Sequence, residues 1–195
     1  MAQSVPFSIT VMLMLLPLTM YAADIEKTEG NSGVLHMYGA LTESACRLEM
    51  DSVWQDIWLG ETGTGRLLQV GDQGEPVMFE LHLKDCLRAS SNSRDERTGA
   101  LVWVNNQPAV SVNFNASSDM GNSQLVKVQG ISVSGLALRL TDSQGRDVRL
   151  GSRGIPLILT PGQNTLTYTV TPERTRAPLI AGTYWATVDF RLSYD

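Results

Sequence analysis

The side chains able to do covalent or metal chemistry are few in this chain. It carries two cysteines, Cys46 and Cys86, and two histidines, His36 and His82, among 195 residues. Two thiols cannot build a four-thiolate zinc site. The pair also lacks the Cys-x-x-Cys spacing of a redox motif. His82 stands between Glu80 and Lys84 on the polar parity of an alternating stretch, and His36 is on the opposite parity from Leu35 and Met37, so both are expected to face solvent. No Gly-x-Ser-x-Gly elbow is present to expose a nucleophilic serine. Gly60-Glu-Thr-Gly-Thr-Gly65 is glycine-rich but lacks the Lys-Ser/Thr of a phosphate-binding loop, so it reads as a turn. The carboxylates are scattered and offer no defensible acid and base. Asn115-Ala-Ser117 is a glycosylation acceptor only in a eukaryotic secretory route. No catalytic residue, metal ligand or cofactor is assigned, and the chain is not read as an enzyme.

Composition narrows the class further. Hydrophobic residues at 43 % and charged residues at 18 % suit a folded globular protein. A net charge of −5 argues against a nucleic-acid partner, which selects for a basic surface.

The first charged side chain is Asp24. Before it, the run Val11-Met-Leu-Met-Leu-Leu-Pro-Leu-Thr-Met20 is too short to span a hydrocarbon layer of about 30 Å, and Pro17 interrupts it. It has the length of the apolar centre of an export signal, with small residues at its end. No Lys or Arg precedes it, and large residues stand two before either alanine. Residues 1–23 are therefore read as a signal peptide cleaved after Ala22 or Ala23, with an uncleaved anchor as the alternative. Removing 23 residues leaves 172, which fits one domain. In an oxidising compartment Cys46 and Cys86 are most simply one disulfide.

The elements that position these residues are written in twos. Val77, Phe79, Leu81 and Leu83 alternate with Met78, Glu80, His82 and Lys84, the pattern of a half-buried antiparallel strand. Leu166, Tyr168 and Val170 alternate with threonines in the same way. The C-terminus does so at greatest length, with Tyr184, Ala186, Val188, Phe190, Leu192 and Tyr194 on one face. Further strands are expected over Leu35–Leu41, Val53–Leu59, Leu101–Asn105, Val110–Phe114 and Ile131–Leu140, the last with a phase change at Ser134-Gly135 that suggests a bulge. Arg88–Gly99 reads as one long solvated loop. Short strands separated by Gly and Pro turns point to an all-β sandwich. Cys46, Trp58 and Cys86 allow a rival reading as an immunoglobulin domain with a buried tryptophan, although Lys84 stands where that fold places a tyrosine.

Four features in order resemble the pilin subunits of chaperone–usher fimbriae. They are Gly33-Val-Leu-His-Met-Tyr-Gly-Ala-Leu-Thr-Glu-Ser-Ala-Cys46, the strand Phe79-Glu-Leu-His-Leu-Lys-Asp-Cys86, Gly182 at the fourteenth position from the end, and the alternating tail with its penultimate Tyr194. The resemblance covers essentially all of the chain after the export signal.

It implies an incomplete immunoglobulin-like β-sandwich, the pilin fold, lacking its last strand. Residues 24–38 would be an N-terminal extension and 39–195 the pilin domain. Gly33, Leu35 and Met37 would form the face of a donor strand. Gly182 and the apolar row Tyr184, Ala186, Val188, Phe190, Leu192 and Tyr194 would line the groove that receives a strand, first from a periplasmic chaperone and then from a neighbouring pilin at the outer-membrane usher. This is strand addition, in which main-chain hydrogen bonds supply affinity and alternate side chains fill pockets. The implied function is a structural subunit of a cell-surface fimbrium, exported through the periplasm. Met50–Thr62, Phe79–Cys86 and Ala181–Tyr184 look like the minor subunit that terminates and anchors the P pilus at its base. An ordinary shaft or adaptor pilin is the alternative within the pathway. A secreted carbohydrate-binding sandwich, resting on Trp103 and Trp185, is the alternative from another class.

Overall fold

A computed structural model describes residues 34–38 and 44–194. The chain divides into two units, Met1–Leu41 and Thr42–Asp195. In the first, residues 34–38 have no regular secondary structure and are exposed, with the His36 and Tyr38 rings stacked at 6.3 Å. The strand expected over Leu35–Leu41 is thus not formed at 35–38, where no partner ladder holds it. Residues 39–41, Gly33 and the whole expected export signal lie outside the described residues.

In the second unit, β1 (Arg47–Leu48) is followed by a four-residue helix α1 (Met50–Val53) and a 3-10 turn at Thr64–Arg66. Then come β2 (Val77–Cys86), β3 (Ser91–Arg94), β4 (Leu101–Val104), β5 (Ala109–Asn115), β6 (Val126–Lys127) and β7 (Gln129–Gly130). The remaining strands are β8 (Leu136–Asp142), β9 (Leu157–Ile158), β10 (Gly162–Arg174), β11 (Tyr184–Trp185) and β12 (Asp189–Tyr194). One sheet runs β1-β2-β10-β8-β6 and another β12-β5-β9, with two-stranded pairs β11-β7 and β3-β4. The fold is all-β.

The alternation read from the sequence sets the register. Val77, Phe79 and Leu81 of β2 stand opposite Val170, Tyr168 and Leu166 of β10. On the second sheet Val110, Val112 and Phe114 of β5 face Tyr194, Leu192 and Phe190 of β12. The two inner faces meet in one core. Phe114 lies edge-on to Tyr168 at 4.8 Å between ring centroids, Phe79 stacks on Tyr168 at 5.7 Å, and Phe190 lies 6.3 Å from Phe114. Edge and offset arrangements of this kind contribute about 0.5–1.5 kcal/mol per pair beyond the area buried.

Several local expectations are corrected. Val53–Leu59 is not a strand: α1 ends at Val53 and an extended segment follows. Gln55 reaches from that segment to the Glu80 carbonyl at 2.7 Å, a side-chain bond in place of a backbone ladder. Arg88–Gly99 is not a plain loop, because β3 within it pairs with β4 as a hairpin. Its Ser91 and Ser93 are buried, a polar strand that hydrophobic alternation does not flag. The C-terminal strand is interrupted over residues 186–188 between β11 and β12. Trp58 is 84 % exposed, which removes the immunoglobulin reading built on a buried tryptophan.

The bulge expected at Ser134-Gly135 is a sharper feature. Ser132 and Gly135 both have positive φ, at 61° and 74°, which moves the buried positions onto Leu136, Leu138 and Leu140 while Ile131 stays exposed. The Gly135 carbonyl also accepts from Arg174 Nη1 at 3.1 Å. The same nitrogen serves the carbonyls of Thr175 and Ala177, tying the 175–182 segment to the start of β8.

Candidate functional site

β12 is the terminal strand of its sheet. One edge pairs with β5, and the other has no strand partner among the described residues. The side chains show the consequence. Val110, Val112 and Phe114 of β5 are 0–2 % exposed, as a completed sandwich requires. Opposite them, Phe190, Leu192 and Tyr194 are only half-buried, as are Tyr184, Ala186 and Val188 before them. All six touch the core, while Trp185, Thr187, Asp189 and Arg191 of the other parity are exposed. The apolar row named from the sequence is therefore brought together on one face, with part of its surface left open to water.

A second wall faces this row. The chain from Ser44 to Thr62 follows the outer edge of β2. Arg47 and Leu48 pair with Lys84 and Leu83, Glu49 N–H donates to the His82 carbonyl at 2.9 Å, and Ser52 Oγ accepts from His82 N–H at 2.9 Å. Ala45, Leu48 and Leu59 of this segment pack half-buried against the same core. Tyrosine hydroxyls mark the two ends: Tyr184 lies beside Thr62, and Tyr194 beside Ser44. Burial pushes both phenols above their ordinary pKa, and the neighbouring hydroxyls offset part of that rise. The result is an apolar trough with an unpaired main-chain edge along Asp189–Tyr194.

Cys46 and Cys86 are bonded to each other, with Cα atoms 4.1 Å apart. The bridge joins the start of the second wall to the end of β2, and the Leu87 N–H to Ala45 carbonyl bond at 2.8 Å reinforces it. Gly182 approaches the 131–133 backbone closely. A Cβ there would lie 2.6 Å from the Ile131 carbonyl oxygen and 3.1 Å from the Val133 nitrogen. Gly182→Ala is expected to destabilise the fold by about 1–3 kcal/mol, because the obstructing atoms are backbone and cannot rotate away. A lower midpoint in urea unfolding, with unchanged slope, is the outcome to look for.

The other candidates do not assemble into a catalytic centre. His82 is half-exposed, with Nδ1 3.3 Å from Thr165 Oγ1 and Nε2 3.7 Å from Glu80. In the Gly60–Gly65 stretch residues 60–63 have no regular structure and the 3-10 segment begins at Thr64. Among the described residues no three His, Cys, Asp or Glu side chains are placed to hold a metal ion. Trp103 and Trp185 are both exposed, on β4 and β11. Leu35 and Met37 are exposed at 75 % and 80 % in the first unit.

The fimbrial protein family profile matches residues 35–195. The chain belongs to the fimbrial protein family. The pilin is 26 % identical over 187 residues to a probable major fimbrial subunit of Escherichia coli O157:H7, covering 95 % of this chain and 96 % of that one. It is 29 % identical over 161 residues to the PAP fimbrial minor pilin protein of Escherichia coli, covering 81 % and 75 %. Its fold is similar to that of the P pilus rod subunit PapA, with a TM-score of 0.62 at 23 % identity over 78 % of this chain and all of that one. As a member of this family, the chain is a structural protein of fimbriae. Its second wall was not recognised from sequence: the alternation of Val53–Leu59 pointed to a ladder strand, whereas the segment is held along β2 by single hydrogen bonds, and Ala45, Leu48 and Leu59 pack at irregular spacing.

Proposed function

We propose that this pilin is a minor subunit incorporated by donor-strand exchange, and that it sits at the base of the fimbria and ends its growth. The observation that carries the exchange reading is the contrast between β5, whose inner row is buried, and β12, whose inner row is half-open beside an unpaired edge. An apolar strand edge left in water invites aggregation, so it calls for a partner that lends a strand. The periplasmic chaperone fills the trough between β12 and Ser44–Thr62 first. At the outer-membrane usher, a neighbouring pilin would replace it. Gly33, Leu35 and Met37 form the donor face of this chain's own extension, freed when the signal is removed after Ala22 or Ala23.

The place at the base rests on the likeness to the PAP minor pilin and on the Met50–Thr62 pattern. The extension from Asp24 to Ser32 holds Ile25 as its one large apolar residue, so insertion into a neighbour relies on the residues from Gly33 onward. The longer match to a probable major subunit favours the second reading, a shaft pilin.

One experiment tests both levels. The chain is expressed in the periplasm with and without its cognate chaperone, and the resulting complex is mixed with donor peptides from each subunit of the same fimbria. Soluble protein is expected only as a one-to-one chaperone complex, with no peptide displacing the chaperone. A stable monomer made without chaperone would overturn the exchange reading. Efficient displacement by any peptide would leave exchange standing and remove the terminal role.

A further inference from the structure

Away from the trough, the molecule gathers arginines on one side although its net charge is −5. A hollow of about 680 Å³ is lined by Arg97, Arg139, Arg146 and Arg149. Arg97 comes from the turn between β3 and β4, Arg139 from β8, and the other two from the segment leading to β9. Arg139 is committed to Glu173 and Asp147, and Arg146 gives only Nε to Asp142, at 2.8 Å. Arg97 and Arg149 are exposed, and neither forms a salt bridge among the described residues. Asp95 lies near Arg97, but its carboxylate accepts the backbone N–H groups of Arg97 and Thr98. Asp147, the partner of Arg139, is the one carboxylate in the lining, and the remaining residues are uncharged and rich in hydrogen-bonding groups, including Thr141, Thr169 and Gln124.

We propose that this hollow binds an acidic saccharide, one carrying a carboxylate or sulfate group. The volume is in the range of small-ligand sites. A guanidinium fork matches a carboxylate or sulfate through paired N–H bonds, which a lone hydroxyl cannot reproduce. Threonine hydroxyls and glutamine amides supply both donors and acceptors, the complement of a sugar's hydroxyl groups. A bare anion would use the arginines and leave those groups idle. An acidic peptide would seek more positive charge than the site holds once Asp147 and Asp142 have taken their share.

The test is calorimetric titration of the full chain, in the soluble form the periplasm yields, with sialyllactose, a heparin-derived tetrasaccharide, lactose, inorganic sulfate and a hexaglutamate peptide. At least one acidic saccharide should bind tenfold or more tighter than lactose, sulfate and the peptide. The double variant Arg97→Gln/Arg149→Gln should lose at least tenfold of that affinity while its unfolding midpoint stays unchanged, since both side chains are exposed. Absence of binding by either acidic saccharide overturns the proposal, as does equal binding of lactose, sulfate or the peptide. Undiminished affinity in the double variant overturns it too.

Discussion

Cys46→Ser is expected to cut periplasmic yield severalfold, and to lower the stability of whatever folds by about 4 kcal/mol, the chain-entropy value for bridging residues 40 apart. Domains of this size hold about 5–15 kcal/mol in total, so the loss is a large share of the whole. The position of the bridge makes the effect worse than the average suggests. The wall from Ser44 to Thr62 is attached to β2 by a two-residue strand and a few single hydrogen bonds. Without the bridge its first turn is free to leave, and Leu48 and Leu59 go with it. The trough then loses one side, and the exposed apolar surface of β12 grows. Soluble yield measured alongside urea unfolding of wild type, oxidised and reduced, checks both parts. Equal yield for Cys46→Ser and wild type would mean that the bridge is not structural.

Much of this architecture was legible in the sequence because most of its strands are amphipathic. The parity of Val77–Lys84 and of Leu166–Val170 predicted not only two strands but the faces that now meet across the β2–β10 ladder. The row from Tyr184 to Tyr194 was readable for the same reason, and its half-burial is what an inner face with an absent neighbour looks like. What periodicity could not show was anything held by side chains or by register. β3 is Ser-Asn-Ser-Arg, polar throughout, and becomes a strand because β4 pairs with it. Residues 54–59 look strand-like in composition, yet they lie along β2 through Gln55 and expose Trp54 and Trp58. The arginine hollow joins residues far apart in sequence, and only the folded sheets bring them together.

Arg139→Ala is expected to cost about 3–5 kcal/mol, the typical effect of removing one member of a buried ion pair. Arg139 sits on β8 and Glu173 on the neighbouring β10, one diagonal step from the Arg139–Thr171 register pair. The guanidinium grips the carboxylate through Nε and Nη2, the latter at 3.0 Å, and turns Nη1 to Asp147 at 2.5 Å. Hydrogen bonds and charge from Glu173 hold Arg139 protonated above its already high ordinary value, with burial working in the opposite direction. Glu173 itself is 4 % exposed, and its other partner is Gln73, through Nε2 at 3.1 Å. Removing the arginine strands a carboxylate in the sheet with one amide to solvate it. Removing both charges should be milder: Arg139→Met/Glu173→Met leaves no stranded ion and adds apolar surface to a position already shielded. The double variant should therefore unfold at a higher urea concentration than Arg139→Ala, though each carries a truncated pair. Asp147 loses its partner in both, so its contribution cancels from the comparison. If the double variant is the less stable of the two, the pair contributes net stability beyond its own desolvation, and the cost of Arg139→Ala does not come from a stranded charge.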